Sequence, residues 1–245
     1  MNPTLCVCDD HESLSRQAAD RILNALGRRQ DMLLCAAGGS TPLRTYQLLA
    51  EHRARSPDAF RLLRVVKLDE WGGLPTEDPA TCDTQLRMRL IHPLGLSDDR
   101  YLRFESSPDD PEAACEQVRA RLEREGPIDV CVLGLGTNGH IAMNEPAASL
   151  KPTVHVAKLT AATLAHSMLA NSKTIPSFGL TLGMTEILAS REILLLVSGA
   201  SKRGPLQQFM RREVTTQFPA SFLWLHPKWT LLCDRAAAEG LILKS

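Results

Sequence analysis

The sequence lacks the features that mark several large classes of protein. No apolar run approaches the ~18 residues that a transmembrane helix requires. Residues 1–10 contain neither the basic stretch nor the long apolar stretch of a signal peptide. Lys+Arg and Asp+Glu each number 28, so the formal net charge is zero, and no basic footprint of a nucleic-acid-binding protein is present. These absences predict a cytoplasmic protein that binds neither membranes nor nucleic acid.

Cysteine patterns of the disulfide-rich and zinc-binding classes are also missing. The seven cysteines are odd in number, no C-x-x-C pair occurs, and no Cys/His cluster has the spacing of a zinc site. We therefore expect neither a disulfide framework nor a metal site.

What is present is the composition of one soluble globular domain. The chain has 245 residues, of which 44% are apolar and 23% are charged, and no repeat or linker divides residues 1–245. Segments that are apolar on successive residues predict strands covered on both faces. These segments are residues 32–37, 62–68, 128–135, 192–197, and 221–225 together with 229–233.

Helical periodicity fills the segments between these runs. Leu14, Ala18, Ile22 and Leu26 recur every four residues, with Gly27 predicted just past the helix end. Asp110 and Pro111 are typical of an N-cap and a first helical residue. Alternating strands and helices predict an open, doubly wound, mostly parallel α/β sheet with helices on both faces, similar to a Rossmann fold. Ligands of such sheets bind beyond the carboxyl ends of the strands.

The first of these strand ends carries Gly38-Gly39-Ser40-Thr41-Pro42 at the start of a helix. Glycines allow close approach of the backbone to a ligand, and the free N–H groups of a first helical turn favour an anion such as phosphate. The loop is not a Walker A motif, because the Lys-Ser/Thr ending is absent. An ordinary Gly-rich turn with a helix cap is the alternative.

The second strand end, Lys67-Leu68-Asp69-Glu70-Trp71, places two adjacent carboxylates beside a tryptophan. Such a pair can include an acid with a raised pKa, which transfers protons near neutral pH. The alternative is a helix cap with a solvated surface acid.

The third strand end is the strongest signal, with the sequence GLGTNGHIAMNEP over residues 134–146. Its G-x-G-x-x-G is not a dinucleotide site, since Pro146 follows closely and no acid lies near position 154 to bind a ribose. His140 lies between Asn138 and Glu145, which favours a general acid/base with orienting partners over a purely structural histidine.

Other polar residues carry weaker signals. Lys202, after the strand that ends at residue 197, can contact a phosphate as a point charge, although an exposed helix-start lysine is the alternative. His11, His52, His92 and His166 have no supporting context in the sequence.

These motifs, in this order, resemble the glucosamine-6-phosphate deaminase and 6-phosphogluconolactonase superfamily. The resemblance rests on residues 38–42, 68–71, 134–146, 180–183 and 198–202. Asn144-Glu145-Pro146 is similar to the deaminase/isomerase branch. Residues 67–71, 131–136 and 219–226 are most similar to its galactosamine-6-phosphate isomerases.

The resemblance implies a reaction on a hexosamine 6-phosphate, whose ring opens before it isomerises from aldose to ketose and loses ammonia. It implies no metal or organic cofactor. By the family pattern, His140 handles the proton of ring opening, Asp69 moves a proton from carbon 2 to carbon 1, and Glu145 orients His140 beside Asn138. The residues implied to bind the phosphate and the rest of the substrate are Gly38, Gly39, Ser40, Thr41, Lys202, Glu70, Gly136 and Gly139.

Two departures from the family pattern stand out. Asn138 replaces an aspartate, and it can accept a hydrogen bond from the His140 ring but brings no charge. The stretch 166–173 lacks the family's phosphate-binding arginine, for which Lys173 or His155 are the candidate substitutes. Residues 150–176 are a candidate lid over the sugar, and a homo-oligomer is one alternative for the oligomeric state.

Two other functions fit the same motifs. A sugar-phosphate lactonase would share the phosphate loop and would use His140 as the base for an attacking water, but it leaves Glu145 without a role. A sugar-phosphate-binding protein without turnover would explain Asn138 and the missing arginine. The choice between galacto and gluco substrates depends on loops that the sequence does not place.

Overall fold

The computed structural model describes residues 3–241, and its main element is a seven-stranded sheet in which every neighbouring pair is parallel. From one edge to the other the strands are β1 (Thr4–Cys8), β10 (Trp229–Asp234), β9 (Glu192–Val197), β6 (Val130–Gly134), β2 (Leu33–Ala36), β3 (Arg64–Lys67) and β5 (Tyr101–Leu102). The chain proceeds from β2 toward one edge and from β6 toward the other. The point where the order reverses therefore lies between β2 and β6, where such sheets bind ligands.

Helices cover both faces of this sheet, which confirms the predicted fold class. They are α1 (His11–Arg28), α2 (Ser40–Arg55), α3 (Cys82–Leu86), α4 (Pro111–Glu125), α5 (Ala161–Leu164), α6 (Met184–Leu188), α7 (Arg203–Phe209) and α8 (Arg235–Ala238). Alternate residues of β2 enter different cores: Leu33 and Cys35 pack with α4 and α7, whereas Leu34 and Ala36 pack with α1 and α2. This alternation explains why the central strands are apolar on successive residues.

The helix caps agree with the sequence in part. Asp110 caps α4 through the N–H groups of Glu112 and Ala113, and Pro111 is its first residue, as predicted. Gly27 does not end α1, which continues through it to Arg28.

A second sheet was not predicted. It has three antiparallel strands in the order β4 (Asp69–Gly72), β8 (Phe178–Thr181) and β7 (His155–Ala157). Since β4 follows β3 after only one residue, the turn between the two sheets falls at the Asp69 motif.

The predicted strand over residues 221–225 is wrong. Pro219–Leu225 forms a 3₁₀ helix instead, in which the Ser221 N–H donates to the Phe218 carbonyl at 2.8 Å. Its buried residues, which include Ala220 and Leu223, pack in the core without joining a sheet, whereas Leu225 is exposed. An apolar run alone therefore does not distinguish a strand from such a helix. Among residues 3–241, no helix combines the length and the hydrophobicity needed to cross a membrane.

Candidate active site

A cavity of about 590 Å³ opens at the carboxyl ends of β2, β3, β6 and β9. This volume suits a small ligand. The cavity walls include all five residues of the predicted phosphate loop, 38–42, together with Asp69, Gly136, His140 and Lys202. The main motifs of the sequence therefore meet in one place.

The phosphate loop adopts a conformation that favours glycine. Gly39 has φ 87° and precedes α2, which begins at Ser40 beside the cavity. Pro42 is the third residue of α2. A Cβ atom on Gly38 would lie 3.1 Å from the Cys82 Sγ, so the loop packs closely on α3. The first turn of α2 thus presents backbone N–H groups and two hydroxyls to the cavity.

Lys202 brings a positive charge to the same cavity. Its Nζ donates to the Leu135 carbonyl at 2.6 Å, and burial lowers its pKa. The ammonium is therefore held by the turn that follows β6, within the cavity that the phosphate loop lines.

Asp69 is the acid with a raised pKa that the sequence predicted. Burial, followed by the negative charge of Glu70, raises its pKa to about 6. The Cys82 thiol lies 3.7 Å from its Oδ1 and donates a weak hydrogen bond to it. A carboxyl with a pKa near the working pH is suited to accept and return a proton.

His140 and Glu145 form a pair beside Asp69. The His140 Nδ1 lies 3.7 Å from the Glu145 Oε2. Burial opposes the ionisation of Glu145, but the nearby His140 ring and hydrogen bonds from Thr163 and Asn138 outweigh it and lower the pKa of Glu145 to about 2. Glu145 is thus a carboxylate that holds Nδ1, which leaves the Nε2 of His140 for a ligand.

Asn138 contacts this pair differently from the expectation. Its side-chain amide donates to the Glu145 Oε2 at 2.8 Å, and its oxygen accepts the backbone N–H of His140 at 3.2 Å. It therefore does not accept from the His140 ring. The amide supplies a donor to an ionised Glu145, a function that a carboxylate at this position cannot perform.

An Asn138→Asp substitution is therefore expected to destabilise the protein at alkaline pH. It would bring a second carboxylate within hydrogen-bonding distance of Glu145, so one of the two carboxyl groups would have a raised pKa. A group with a raised folded-state pKa loses its stabilising effect as the pH rises through that value. We expect a loss of about 1–3 kcal/mol at pH 8 that shrinks toward pH 4, measured by urea unfolding.

The control is Asn138→Ala, which removes the donor without adding charge and should show a smaller change with pH. An aspartate variant as stable as the wild type at pH 8 would contradict this account of Asn138.

Four of the predicted site residues do not line the cavity. Asn138 and Glu145 contact each other behind His140, and the other two are Glu70 and Gly139. Glu70 is fully buried below the cavity, where it pairs with the Lys67 Nζ at 2.5 Å and accepts the N–H groups of Cys82 and Asp83 at 2.8 Å. Gly139 has φ 86°, and a Cβ on it would lie 2.1 Å from the Phe218 ring. Glu70 and Gly139 therefore support the residues that line the cavity and do not line it themselves.

Comparisons with known proteins identify the family of the chain. Residues 9–231 match the protein family described as glucosamine-6-phosphate isomerases/6-phosphogluconolactonase. The chain belongs to this family. It is 40% identical to the Escherichia coli protein named "Putative deaminase AgaI", over 94% of this chain and 92% of that protein. It is 35% identical to a glucosamine-6-phosphate deaminase of Cutibacterium acnes, over 97% and 92% of the two chains.

A solved structure of the same glucosamine-6-phosphate isomerase/6-phosphogluconolactonase family is also similar. It is described as a monomeric glucosamine-6-phosphate deaminase and shares 33% sequence identity with this chain. The two superpose with a TM-score of 0.89 over 96% of this chain and 98% of that one. The chain therefore has the fold of an established enzyme family.

The sequence did not identify several residues that line the cavity, among them Thr163, His166 and Cys82. Thr163 donates to the Glu145 Oε1, and its hydroxyl lies 3.4 Å from the His140 Nδ1. Thr163 and His166 lie in residues 150–176, where no periodic pattern or strand end marks them. This segment forms part of the cavity wall, and its movement as a lid stays a prediction.

The two candidate substitutes for the missing arginine lie elsewhere. His155 is in β7 with its Nδ1 2.7 Å from the Thr153 carbonyl, and neither it nor Lys173 lines the cavity.

Proposed function

We propose that the protein is an amino-sugar-6-phosphate isomerase/deaminase. Its substrate would be galactosamine 6-phosphate, with glucosamine 6-phosphate as the alternative epimer. The reaction consumes water and yields a ketohexose 6-phosphate and ammonia. The observation that carries the proposal is one cavity with two chemically different ends: a carboxyl of raised pKa beside an oriented imidazole, and a helix N-terminus with a lysine.

Asp69 is suited to the isomerisation. As a carboxylate it takes the proton from carbon 2 of the open-chain sugar, and as the resulting acid it returns that proton to carbon 1. Its pKa of about 6 supports both steps at neutral pH, because neither protonation state is strongly disfavoured. The amine-bearing carbon 2 then becomes an iminium, which water hydrolyses to the ketone and ammonia.

His140 is suited to the opening of the sugar ring. Glu145 holds its Nδ1 side, so Nε2 is the nitrogen that can pass a proton to the ring oxygen as the bond to carbon 1 breaks. Asn138 and Thr163 hold Glu145 in turn. This chain of contacts fixes the orientation of the imidazole before the substrate binds.

The other end of the cavity would anchor the phosphate. The 38–41 loop offers N–H and hydroxyl donors, and Lys202 offers a point charge. Binding energy from this remote group orients the reacting carbons between Asp69 and His140. No step of this scheme requires a residue outside the cavity and the groups that contact it.

The decisive measurement is ammonia release by the purified protein with galactosamine 6-phosphate and glucosamine 6-phosphate side by side. We expect release from both, faster with the galacto epimer, and none from the sugars without phosphate. A third assay with a 6-phosphogluconolactone tests the lactonase alternative. Lactone hydrolysis without ammonia release would overturn the proposal, and so would thermal stabilisation by the hexosamine phosphates without any product.

A further inference from the structure

The imidazole of His166 lies in the cavity close to the phosphate loop. It follows α5 and precedes the 3₁₀ helix Ser167–Asn171. The Met168 N–H donates to its Nδ1 at 3.2 Å. A neutral ring whose Nδ1 accepts must carry its proton on Nε2. The free side of the ring is therefore a hydrogen-bond donor.

Its neighbours place the ring against the loop. A Cβ atom on Gly39 would lie 4.0 Å from the His166 Cε1. The Trp71 ring is also a neighbour of the imidazole, and the centroids of the Trp71 and His166 rings are 6.1 Å apart. His166 thus lines the same cavity as the first turn of α2 and reaches the loop through Gly39.

The charges around His166 are mainly positive. Burial, then the charge of Lys202, then His140 lower its pKa below the ordinary value of 6.5. Asp69 and Cys82 are the other titratable groups that line the cavity. The Lys202 ammonium and the N–H groups of a helix start leave this end of the cavity with an excess of positive potential, which a phosphate dianion would neutralise.

We propose that His166 binds the phosphate group of the substrate together with Lys202 and the 38–41 loop, and that it makes the affinity for phosphate dianions fall as the pH rises. This inference rests on the proposed function, because it deepens the assignment of the phosphate end. A dianion near His166 raises the pKa of the imidazole, so binding is coupled to uptake of a proton on Nδ1, which replaces the hydrogen bond from the Met168 N–H. An arginine in this place would give no such dependence, since it stays charged throughout.

The first test follows the His166 ring itself and requires no turnover. The imidazole signals of the wild-type protein are titrated by NMR with and without inorganic phosphate, with exposed His92 as the internal reference. We expect the His166 titration to move upward by on the order of one pH unit in phosphate, while that of His92 stays in place. A His166 titration that is unchanged at saturating phosphate would overturn the proposal.

The second test separates binding from chemistry. With the hexosamine phosphate that releases ammonia, His166→Gln is expected to raise KM about tenfold, with a much smaller effect on kcat. Between pH 6.5 and 8.5 the KM of the wild type should rise, whereas that of His166→Arg should stay low and nearly flat. His92→Gln is the matched control and should behave as the wild type.

The outcomes distinguish this proposal from the one on which it rests. Ammonia release by the wild type, with a KM whose pH dependence is the same in His166→Arg, would overturn the role of His166 and leave the deaminase assignment intact. If phosphate shifts the His166 signals but no ammonia is released, the role of His166 in phosphate binding would be supported and the deaminase assignment would be overturned.

Discussion

Replacing Asp69 with asparagine is expected to lower kcat for ammonia release about a thousandfold while leaving the fold intact. The amide cannot accept the proton from carbon 2, and general acid/base groups of this kind contribute about 10²–10⁴ to the rate. Substrate binding should change much less, because the phosphate end of the cavity is untouched. Steady-state kinetics and circular dichroism of the variant check both statements.

The same substitution should increase stability above pH 6. The pKa of Asp69 is raised from 3.8 to about 6, so ionisation of this buried carboxyl opposes folding. Such a group stabilises the folded state below pH 4, and that stabilisation is lost as the pH rises through about 6. The loss corresponds to up to about 3 kcal/mol, which Asp69→Asn should partly restore at pH 7.5 in urea unfolding.

The pH profile provides a further check on Asp69 as the base. A base must be ionised, so kcat/KM of the wild type should fall as the pH drops through about 6. Asp109→Asn, at an exposed position, is the matched control. Activity that survives in Asp69→Asn, or that persists unchanged well below pH 5, would exclude Asp69 as the base.

The sequence predicted those parts of the site that lie directly after parallel strands. The 38–42 loop, Asp69 and residues 134–146 follow β2, β3 and β6, and parallel strands bring their carboxyl ends to one edge. The sequence therefore predicts a common site for His140, Lys202 and the loop.

The remainder of the site depends on contacts that no local pattern encodes. Thr163 and His166 come from a segment without strands of the main sheet, and only its packing over the cavity brings them to His140 and Lys202. The family resemblance implies a substrate contact for Glu70, but adjacent residues of a strand point to opposite sides. Because of that alternation, the Asp69 side chain lies in the cavity and the Glu70 side chain lies in the protein interior, where it forms an ion pair with Lys67.

Breaking the Lys67–Glu70 ion pair is the second change with a large expected effect. Both side chains are fully buried, and the Lys67 Nζ lies 2.5 Å from the Glu70 Oε2 and 2.6 Å from the Phe104 carbonyl. Either Glu70→Gln or Lys67→Met removes the nearest opposite charge from its buried partner. Lys67 would keep only Asp83 as an acidic partner, at 3.7 Å, and Glu70 would keep only backbone N–H donors such as that of Cys82. Each should cost about 3–5 kcal/mol, which lowers the thermal midpoint by about 10 °C for a chain of this size.

Two further variants test whether this cost arises from the pair. The double variant Lys67→Met/Glu70→Gln should lose less stability than the sum of the single variants, since it leaves no unpaired charge. Glu123→Gln, which removes a carboxylate from an exposed pair with Arg119, should have little or no measurable effect.

The buried pair also acts on the chemistry through the pKa of Asp69. The negative charge of Glu70 raises that pKa, and the positive charge of Lys67 lowers it. In variants that remain folded at the assay temperature, the acid limb of the kcat/KM profile should therefore move to lower pH in Glu70→Gln and to higher pH in Lys67→Met. A purely structural pair would reduce stability without moving the two limbs in opposite directions. Shifts of the same sign, or none, would mean that the charge of Glu70 does not reach Asp69, and burial alone would then account for its raised pKa.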